Sequence, residues 1–347
     1  GCGGGRGGDP VRWRRRGGGG GGRGAGRGER VRVGVLGVGG IGGLVAARLA
    51  TTDADLVLYA RGDTARMLAS VGLRLEVADG KVEQVLPDRW VVSEGEPVEP
   101  LLGCADVALV CGKADSTPAL ARIAEALLRP NGIAVSLQNG IGHAQVLTTR
   151  LGRHRVLGGS TTHAALRSTP AELRWTGRGS IELGSFPGSD LVAEDARVRG
   201  LFELLFDAGL SPEWVDDIDR TLVVKLLLNV AINPLAAICG VRNGEILSRS
   251  DLRDQAQAAM HEAALVVAAG GIDLSDIDLE RRLDEVLGAT ADNRCSMLQD
   301  VMAGRPTEID AICGEVVRMA EEHGIPTPLN QQLLTLVKGI EHSLQTD

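Results

Sequence analysis

Aromatic residues are scarce in this chain of 347 residues: tryptophan, tyrosine and phenylalanine together make up 2% of it. Proteins that bind single-stranded nucleic acids usually stack the bases on aromatic rings. The formal net charge of −8 also disfavours general binding to a phosphate backbone. We therefore expect no nucleic-acid partner for the folded part of the chain.

Paired cysteines are also missing. The chain has no C-x-x-C pair and no metal-type spacing of cysteine with histidine, and its cysteines are Cys2, Cys104, Cys111, Cys239, Cys295 and Cys313. Such isolated thiols are typical of the reducing cytoplasm. No apolar segment that could act as a secretory signal follows the N-terminal arginines before Val31. The sequence therefore predicts a cytoplasmic protein without a metal site.

Residues 1–30 are rich in glycine and arginine and poor in apolar side chains. Such a segment cannot bury enough apolar surface to offset its ordering entropy. We interpret it as a disordered leader, or as the result of a start site placed too far upstream. A tail that binds RNA weakly is the alternative, although regular aromatic interleaving is missing. The rest of the chain can form two domains, since 44% of all residues are hydrophobic.

A glycine-rich turn follows the first predicted strand, residues 31–36, and precedes a helix-like segment and a second strand. The turn consists of Gly37, Val38, Gly39, Gly40, Ile41 and Gly42. In a dinucleotide-binding unit the first glycine of a G-x-G-x-x-G turn permits the sharp bend, the second lets pyrophosphate approach, and the third allows close packing. The helix N-terminus attracts the same anion. The sequence therefore predicts a Rossmann-type unit.

Arg61 follows the second predicted strand and favours NADP over NAD. A NAD-binding unit usually carries an acidic residue here, which accepts hydrogen bonds from the ribose hydroxyls. In this chain no acidic residue follows the strand until Asp63. A guanidinium suits the 2′-phosphate of NADPH because it has forked donors and a permanent charge. The alternative is an ordinary solvated arginine.

Lys113, Asn139 and His163 each follow a later predicted strand. Ligands of doubly wound sheets bind at the carboxyl ends of strands, so these residues are candidates for the site. A surface lysine, an ordinary Asn-Gly turn and a packed histidine are the alternatives. Hairpins are predicted for residues 73–86 and 173–183, where glycine-containing turns separate short strand signals.

Strand signals disappear after about residue 216, and the remaining pattern is helical. We therefore predict an α/β fold with an NADPH-binding Rossmann-type domain over residues 31–215. An all-helical substrate and catalytic domain is predicted over residues 216–347. The substrate site is expected in the cleft between them.

The apolar run at residues 221–233 is interrupted only by Lys225, Asn229 and Asn233. These residues are four apart, so they line one face of a helix. Burying an ammonium and two amides costs free energy unless polar groups meet them. Desolvation lowers the pKa of a lysine, which suits it to proton transfer. We interpret this stripe as one wall of a substrate site.

Two alternatives compete with this interpretation. Residues 221–241 reach the length of about 20 residues that a membrane span needs, but Lys225, two asparagines and Pro234 argue against a span and no membrane partner is expected. Alternatively, Lys225 extends to the surface and the asparagines cap a helix end. Pro234 disfavours helical geometry at the residue before it, so we expect the helix to kink or end at Asn233.

From about residue 31 to about residue 342 the chain resembles the ketopantoate reductase (2-dehydropantoate 2-reductase) family. In the first half the matching motifs are the glycine-rich turn, Arg61, Cys111-Gly112-Lys113, Gln138-Asn139-Gly140 and Thr161-Thr162-His163-Ala164-Ala165. In the second half they are Lys225-x-x-x-Asn229-x-x-x-Asn233-Pro234, Asn243-Gly244-Glu245, Asn293-x-x-Ser296 and Thr307-Glu308-Ile309-Asp310. The motifs occur in order across both halves, which makes the match specific.

The resemblance implies NADPH-dependent reduction of 2-dehydropantoate to (R)-pantoate, on the route to pantothenate and coenzyme A. It implies that Lys225 donates a proton to the ketone oxygen. The implied substrate-binding residues are Lys225, Asn229, Asn233, Asn243, Asn293 and Ser296. Outside the glycine-rich turn and Arg61, the implied cofactor contacts are Lys113, Asn139, Ala165 and Glu308. The chemistry agrees, because an ammonium stabilises and then protonates the oxygen that becomes negative when hydride reaches the carbonyl carbon.

Other functions stay open. A paralogous NADPH-dependent reductase would use the same lysine and asparagines on another small 2-oxo acid. A nucleotide-sensing or RNA-binding regulator would bind the cofactor without turnover, and the Lys225 stripe argues against it because a sensor needs no proton donor. The sequence also leaves open whether the chain forms a homodimer.

Overall fold

The computed structural model describes residues 30–77 and 79–346. Apart from Arg30, the predicted leader lies outside the described residues. The fold divides into two units. The first comprises the described residues up to Gln138 together with Gly142–Asp219, and the second comprises Asn139–Ile141 and the described residues from Arg220 onwards.

All strands of the described residues belong to the first unit. They are β1 (Arg32–Leu36), β2 (Asp55–Tyr59), β3 (Leu73–Glu76), β4 (Val82–Val85), β5 (Trp90–Ser93), β6 (Ala105–Val110), β7 (Leu128–Ser136), β8 (Val156–Thr161), β9 (Ala164–Thr169), β10 (Glu172–Gly177), β11 (Ile181–Ser185) and β12 (Pro212–Trp214). The helices of this unit are α1 (Gly40–Leu49), α2 (Gly62–Ser70), α3 (Thr117–Leu127), α4 (His143–Leu151) and α5 (Ala196–Asp207).

The large sheet has the strand order β12-β11-β8-β7-β6-β1-β2-β5. Adjacent strands of this sheet are parallel, except that β8 and β11 are antiparallel. Strand β1 lies between β2 and β6, so the chain leaves β1 on one side and later returns on the other. This reversal is a topological switch point, the place where doubly wound sheets bind ligands at the carboxyl ends of their strands. The predicted Rossmann-type architecture is confirmed.

Helices cover both faces of the large sheet, which explains why its central strands are apolar on both faces. Val33 and Val35 of β1 pack into one core with α1 and α5, which contribute Leu44 and Phe202. Leu36 points to the opposite face and packs into a core with α3 and α4. This alternation follows from the two-residue period of a strand.

The predicted hairpin over residues 173–183 is wrong. Strands β10 and β11 form as expected, but β10 pairs with β9 and β3 in a second sheet of order β4-β3-β10-β9. Strand β11 pairs with β8 and β12 in the large sheet. Glycines between two short strands favour a turn, yet they do not choose the partner of either strand. The hairpin over residues 73–86 is confirmed, since β3 and β4 pair in antiparallel fashion.

His163 lies between the two sheets of this unit, where it is 6% exposed. Its Nδ1 accepts a hydrogen bond from the Gly179 N–H at 2.9 Å, so Nε2 carries the proton and donates to the carbonyl oxygen of Leu210 at 3.1 Å. The ring also meets the edge of Trp175, with 5.3 Å between centroids. Burial lowers the pKa of His163 below its ordinary value of 6.5. These contacts favour the packed-histidine interpretation, in which the neutral ring holds two chain segments together.

The pKa shift of His163 predicts a pH-dependent stability. Because its folded pKa lies below 6.5, the unfolded chain binds the proton more readily as the pH falls below 6.5. We expect His163→Gln to lower the free energy of unfolding by about 1–3 kcal/mol at pH 7.5. The difference between wild type and variant should shrink towards pH 5, as measured by denaturant titration. The exposed His261, which pairs with Glu280, supplies the control His261→Gln. A cost for His163→Gln that is equal at both pH values would contradict the prediction.

All secondary structure in the described residues of the second unit is helical. Its helices are α6 (Ile218–Cys239), which begins two residues before the unit does, α7 (Asn243–Ser248), α8 (Ser250–Ala269), α9 (Leu279–Ala289), α10 (Ser296–Met302), α11 (Glu315–His323) and α12 (Pro328–Thr346). A π-helical turn, Asp310–Gly314, precedes α11.

Helix α6 is the core helix of the second unit. By length and composition it could cross a membrane, but 67% of its most apolar stretch of 18 residues is buried inside the protein. Leu227, Val230 and Ala236 are fully buried, and they belong to a core shared with α8, α9 and α12. Pro234 lies inside the helix, so of the two expected outcomes the helix end at Asn233 is wrong, and the kink stays a prediction. The burial of Leu235, Ala236 and Ala237 outweighs the hydrogen bond that proline lacks.

Candidate active site

The glycine-rich turn lies at the switch point of the large sheet. A Cβ on Gly37 would lie 2.5 Å from the Cα of Gly112, and one on Gly42 would lie 2.0 Å from the carbonyl oxygen of Gly37. These two glycines therefore allow β1, β6 and α1 to approach closely. A Cβ on Gly39 would meet nothing within 4 Å, and this N-cap of α1 has no side-chain cap. The start of α1 thus combines open space with uncapped N–H groups, the arrangement that binds phosphate at a helix N-terminus.

Arg167, a residue that the sequence analysis missed, adds positive charge beside this turn. Its Nη2 donates to the carbonyl oxygen of Gly39 at 3.4 Å, and its Nη1 donates to the carbonyl oxygen of Pro170. Burial lowers the pKa of Arg167 to about 10, and it forms no ion pair within the described part of the chain. No motif marks this position, because β9 reaches α1 only through the tertiary fold.

Ala165 and Arg61 flank the same turn. A Cβ on Gly40 would lie 2.7 Å from the carbonyl oxygen of Ala165, so β9 passes directly beside the start of α1. Arg61 is the extended N-cap residue of α2 and is exposed at the carboxyl end of β2. Among the described residues its guanidinium has no carboxylate partner. The predicted cofactor residues of the first unit therefore gather at one edge of the sheet.

The carboxyl end of β6 carries Lys113, an exposed residue. Its turn is held by Gln138, whose Nε2 donates to the carbonyl oxygen of Gly112 and to Thr117 Oγ1, both at 2.8 Å. Gln138 is only 5% exposed. The sequence marks Gln138 as part of a motif, but only the structure shows that it fixes the turn in front of Lys113.

In the second unit, helix α6 presents Lys225, Asn229 and Asn233 on one face, as predicted from their spacing. Lys225 and Asn229 are half-buried, and Asn233 is buried. The thiol of Cys295 donates to the carbonyl oxygen of Asn233 at 3.7 Å. Burial raises the pKa of Cys295 to about 11, so the thiol keeps its proton for this bond. Ser296, the first residue of α10, follows directly and is exposed.

Asn243 and Asn293 come together at the start of α7. The Asn243 N–H donates to the carbonyl oxygen of Asn293 at 3.0 Å, and its Nδ2 donates to Thr290 Oγ1 at 2.9 Å. Gly244 allows the close approach, since a Cβ there would lie 2.8 Å from the Cβ of Ala291. Asn243 Oδ1 is buried and accepts no hydrogen bond from the described residues. The structure therefore leaves one amide oxygen of the predicted substrate set without a donor.

Asn139 and Glu308 are 169 residues apart in the chain and are joined within the second unit. Asn139 Nδ2 donates to Glu308 Oε2 at 3.0 Å. Both side chains are half-buried, and the π-helical turn begins two residues after Glu308. A π-helical turn often marks a functional site. The bond links two residues that the resemblance assigns to the cofactor.

Comparison with known proteins identifies the family. The model described as "Ketopantoate reductase PanE/ApbA" matches residues 33–188, and the model of its C-terminal domain matches residues 217–341. The 2-dehydropantoate 2-reductase of Archaeoglobus fulgidus is 35% identical over 317 residues, which cover 90% of this chain and 99% of that protein. The chain belongs to the ketopantoate reductase family. It is therefore an oxidoreductase, and the family resemblance inferred from its motifs is confirmed.

Solved structures support the same assignment. The ketopantoate reductase of Ralstonia eutropha has a TM-score of 0.79 and 28% identity, covering 91% of this chain and all of that one. A D-mandelate dehydrogenase in complex with NADH and anilino(oxo)acetate has a TM-score of 0.81 over the same shares of the two chains. Its identity of 23% shows a shared fold alone. Both proteins resemble this chain over its two units.

Proposed function

We propose that this protein reduces 2-dehydropantoate to (R)-pantoate with NADPH, in the cytoplasmic synthesis of pantothenate and coenzyme A. The observation that carries the proposal is the stripe of Lys225, Asn229 and Asn233 on an otherwise apolar core helix. Family membership over about 90% of the chain gives that stripe its chemical context.

The residues of the first unit fit a dinucleotide. The uncapped start of α1 and the open space at Gly39 suit a pyrophosphate. Arg61 at the end of β2 suits the 2′-phosphate, because a guanidinium forms paired hydrogen bonds with phosphate oxygens. Lys113 and Ala165 complete the set at the same edge of the sheet. When bound, NADPH supplies the hydride, and the protein supplies binding and orientation.

The residues of the second unit fit a 2-oxo acid. The ammonium of Lys225 can stabilise the ketone oxygen as it becomes negative and then protonate it. Asn229 and Asn233 lie on the same face of α6 and can donate to the substrate. Ser296 and Asn293 offer further donors for the carboxylate, and Asn243 Oδ1 can accept a hydrogen bond from a substrate hydroxyl. Asn139 and Glu308, which are joined by a hydrogen bond, would contact the cofactor.

A substrate panel tests the proposal. We expect kcat/KM with NADPH to be highest for 2-dehydropantoate, compared with pyruvate, 2-ketoisovalerate and a 2-oxo acid with an aromatic side chain. A higher value for another acid would identify a paralogous reductase with the same machinery. Cofactor binding without turnover of any 2-oxo acid would favour the sensor alternative. Light scattering of the same sample would decide whether the chain forms a homodimer.

A further inference from the structure

A carboxylate occupies the N-terminus of the helix that follows Arg61. Glu94 Oε1 accepts a hydrogen bond from the Gly62 N–H at 2.5 Å. Gly62 is the first residue of α2, and Arg61 is its N-cap. Glu94 therefore takes the position at which a helix N-terminus attracts an anion.

The sheet register brings Glu94 to this place. Strands β2 and β5 are parallel neighbours with Tyr59 opposite Ser93, and the Ala60 N–H donates to the carbonyl oxygen of Ser93 at 3.2 Å. Residues that follow the two strands consequently lie side by side. Arg61 follows β2, and Glu94 follows β5 directly. They are far apart in the sequence, so the local sequence around Arg61 does not reveal that Glu94 lies beside the end of β2.

Arg61, Glu94 and Glu96 all act electrostatically on the phenol of Tyr59. Burial raises the pKa of Tyr59, the positive charge of Arg61 lowers it, and the negative charges of Glu96 and Glu94 raise it. Glu96 is engaged elsewhere, since it pairs with Arg122 at 3.6 Å. Glu94 is held instead on the backbone of α2. Arg61 and Glu94 thus present opposite charges to the same region, and neither neutralises the other through an ion pair among the described residues.

Opposite charges at this edge select different cofactors. The 2′-phosphate of NADPH gains from Arg61 and is repelled by Glu94, because like charges placed close together raise the free energy of binding. The 2′-hydroxyl of NADH instead can donate to a carboxylate, as in NAD-binding Rossmann units. We propose that Glu94 is a specificity-determining residue that weakens the preference of this protein for NADPH and supports binding of NADH. The inference rests on the proposed function, which places the adenosine ribose beside Arg61.

The test compares dissociation constants of NADPH and NADH for the full chain by isothermal titration calorimetry without substrate. Glu94→Gln keeps the acceptor for Gly62 and removes the charge. We expect this variant to raise the ratio Kd(NADH)/Kd(NADPH) by about tenfold at low salt. Loss of the charge removes the repulsion of the 2′-phosphate of NADPH and weakens the hydrogen bond from the 2′-hydroxyl of NADH. The control Glu96→Gln removes the same charge two residues away and should change the ratio less than about twofold, because this carboxylate pairs with Arg122 and not with the N-terminus of α2.

The outcomes separate this inference from the proposed function. An unchanged ratio in Glu94→Gln would overturn the inference while leaving NADPH-dependent reduction intact. An equal change in Glu94→Gln and Glu96→Gln would also overturn it, because the effect would then follow net charge. A wild-type protein that binds neither cofactor would overturn the proposed function as well. Circular dichroism of both variants shows whether α2 and the sheet remain folded.

Discussion

Changing Lys225 to Ala is expected to lower kcat by a factor of about 10²–10⁴, the range typical of general acid catalysis. The affinity for NADPH should survive, because the proposed cofactor residues at the glycine-rich turn and Arg61 belong to the other unit. The KM for the oxo acid should rise, since the ammonium also attracts the ground-state carbonyl oxygen. The decline of kcat at high pH that a titrating ammonium causes should be absent from the variant.

Two further variants sharpen this test. Lys225→Arg keeps a positive charge but is a poor proton donor, because an arginine stays charged in proteins. Compared with Lys225→Ala, this variant should bring KM back towards the wild-type value but leave kcat low. The comparison separates proton donation from electrostatic attraction of the carbonyl oxygen. Lys81→Ala removes an exposed lysine of the first unit and should leave both parameters unchanged. Near-normal kcat in Lys225→Ala would instead support the alternative in which Lys225 extends to the surface.

The second large effect is expected at Arg61. Changing it to Ala should reduce the preference for NADPH over NADH by about ten- to a hundredfold, since a hydrogen bond to a charged group contributes about 1.5–3 kcal/mol. Only NADPH carries the 2′-phosphate, so NADH binding should change little. The ratio of kcat/KM for the two cofactors measures the effect.

A neighbouring arginine provides the control for this change. Arg66 is exposed on α2 and pairs with Asp63, so Arg66→Ala changes the net charge equally without touching the end of β2. Its cofactor preference should match that of the wild type. Equal weakening of NADPH and NADH by Arg61→Ala would show that Arg61 does not recognise the phosphate, and would favour the solvated arginine.

The sequence by itself determined the local elements that carry the candidate site. The spacing of Lys225, Asn229 and Asn233 places them on one helix face because a helix repeats every 3.6 residues, whatever surrounds it. The glycine-rich turn between a strand and a helix predicts the dinucleotide unit in the same local way. Ordered motifs across both halves were enough to identify the family.

Only the tertiary structure decided which distant residues meet. Asn139 and Glu308, or Asn243 and Thr290, are joined by single hydrogen bonds that no local pattern encodes. Strands β10 and β11 enter different sheets although the glycines between them favour a turn. Helix α6 continues through Pro234 because packing of its apolar residues outweighs the local preference of proline.

The carboxyl ends of β2 and β5, where Arg61 and Glu94 lie, show most clearly what the sequence and the tertiary structure each decided. Read along the chain, Arg61 indicates NADPH, since the acidic residue expected for NAD is absent from the end of its own strand. In the fold, the neighbouring strand β5 brings Glu94 onto the first N–H of α2. Strand pairing depends on burial and hydrogen bonding summed over the whole sheet, so the tertiary structure decided which charges surround Arg61.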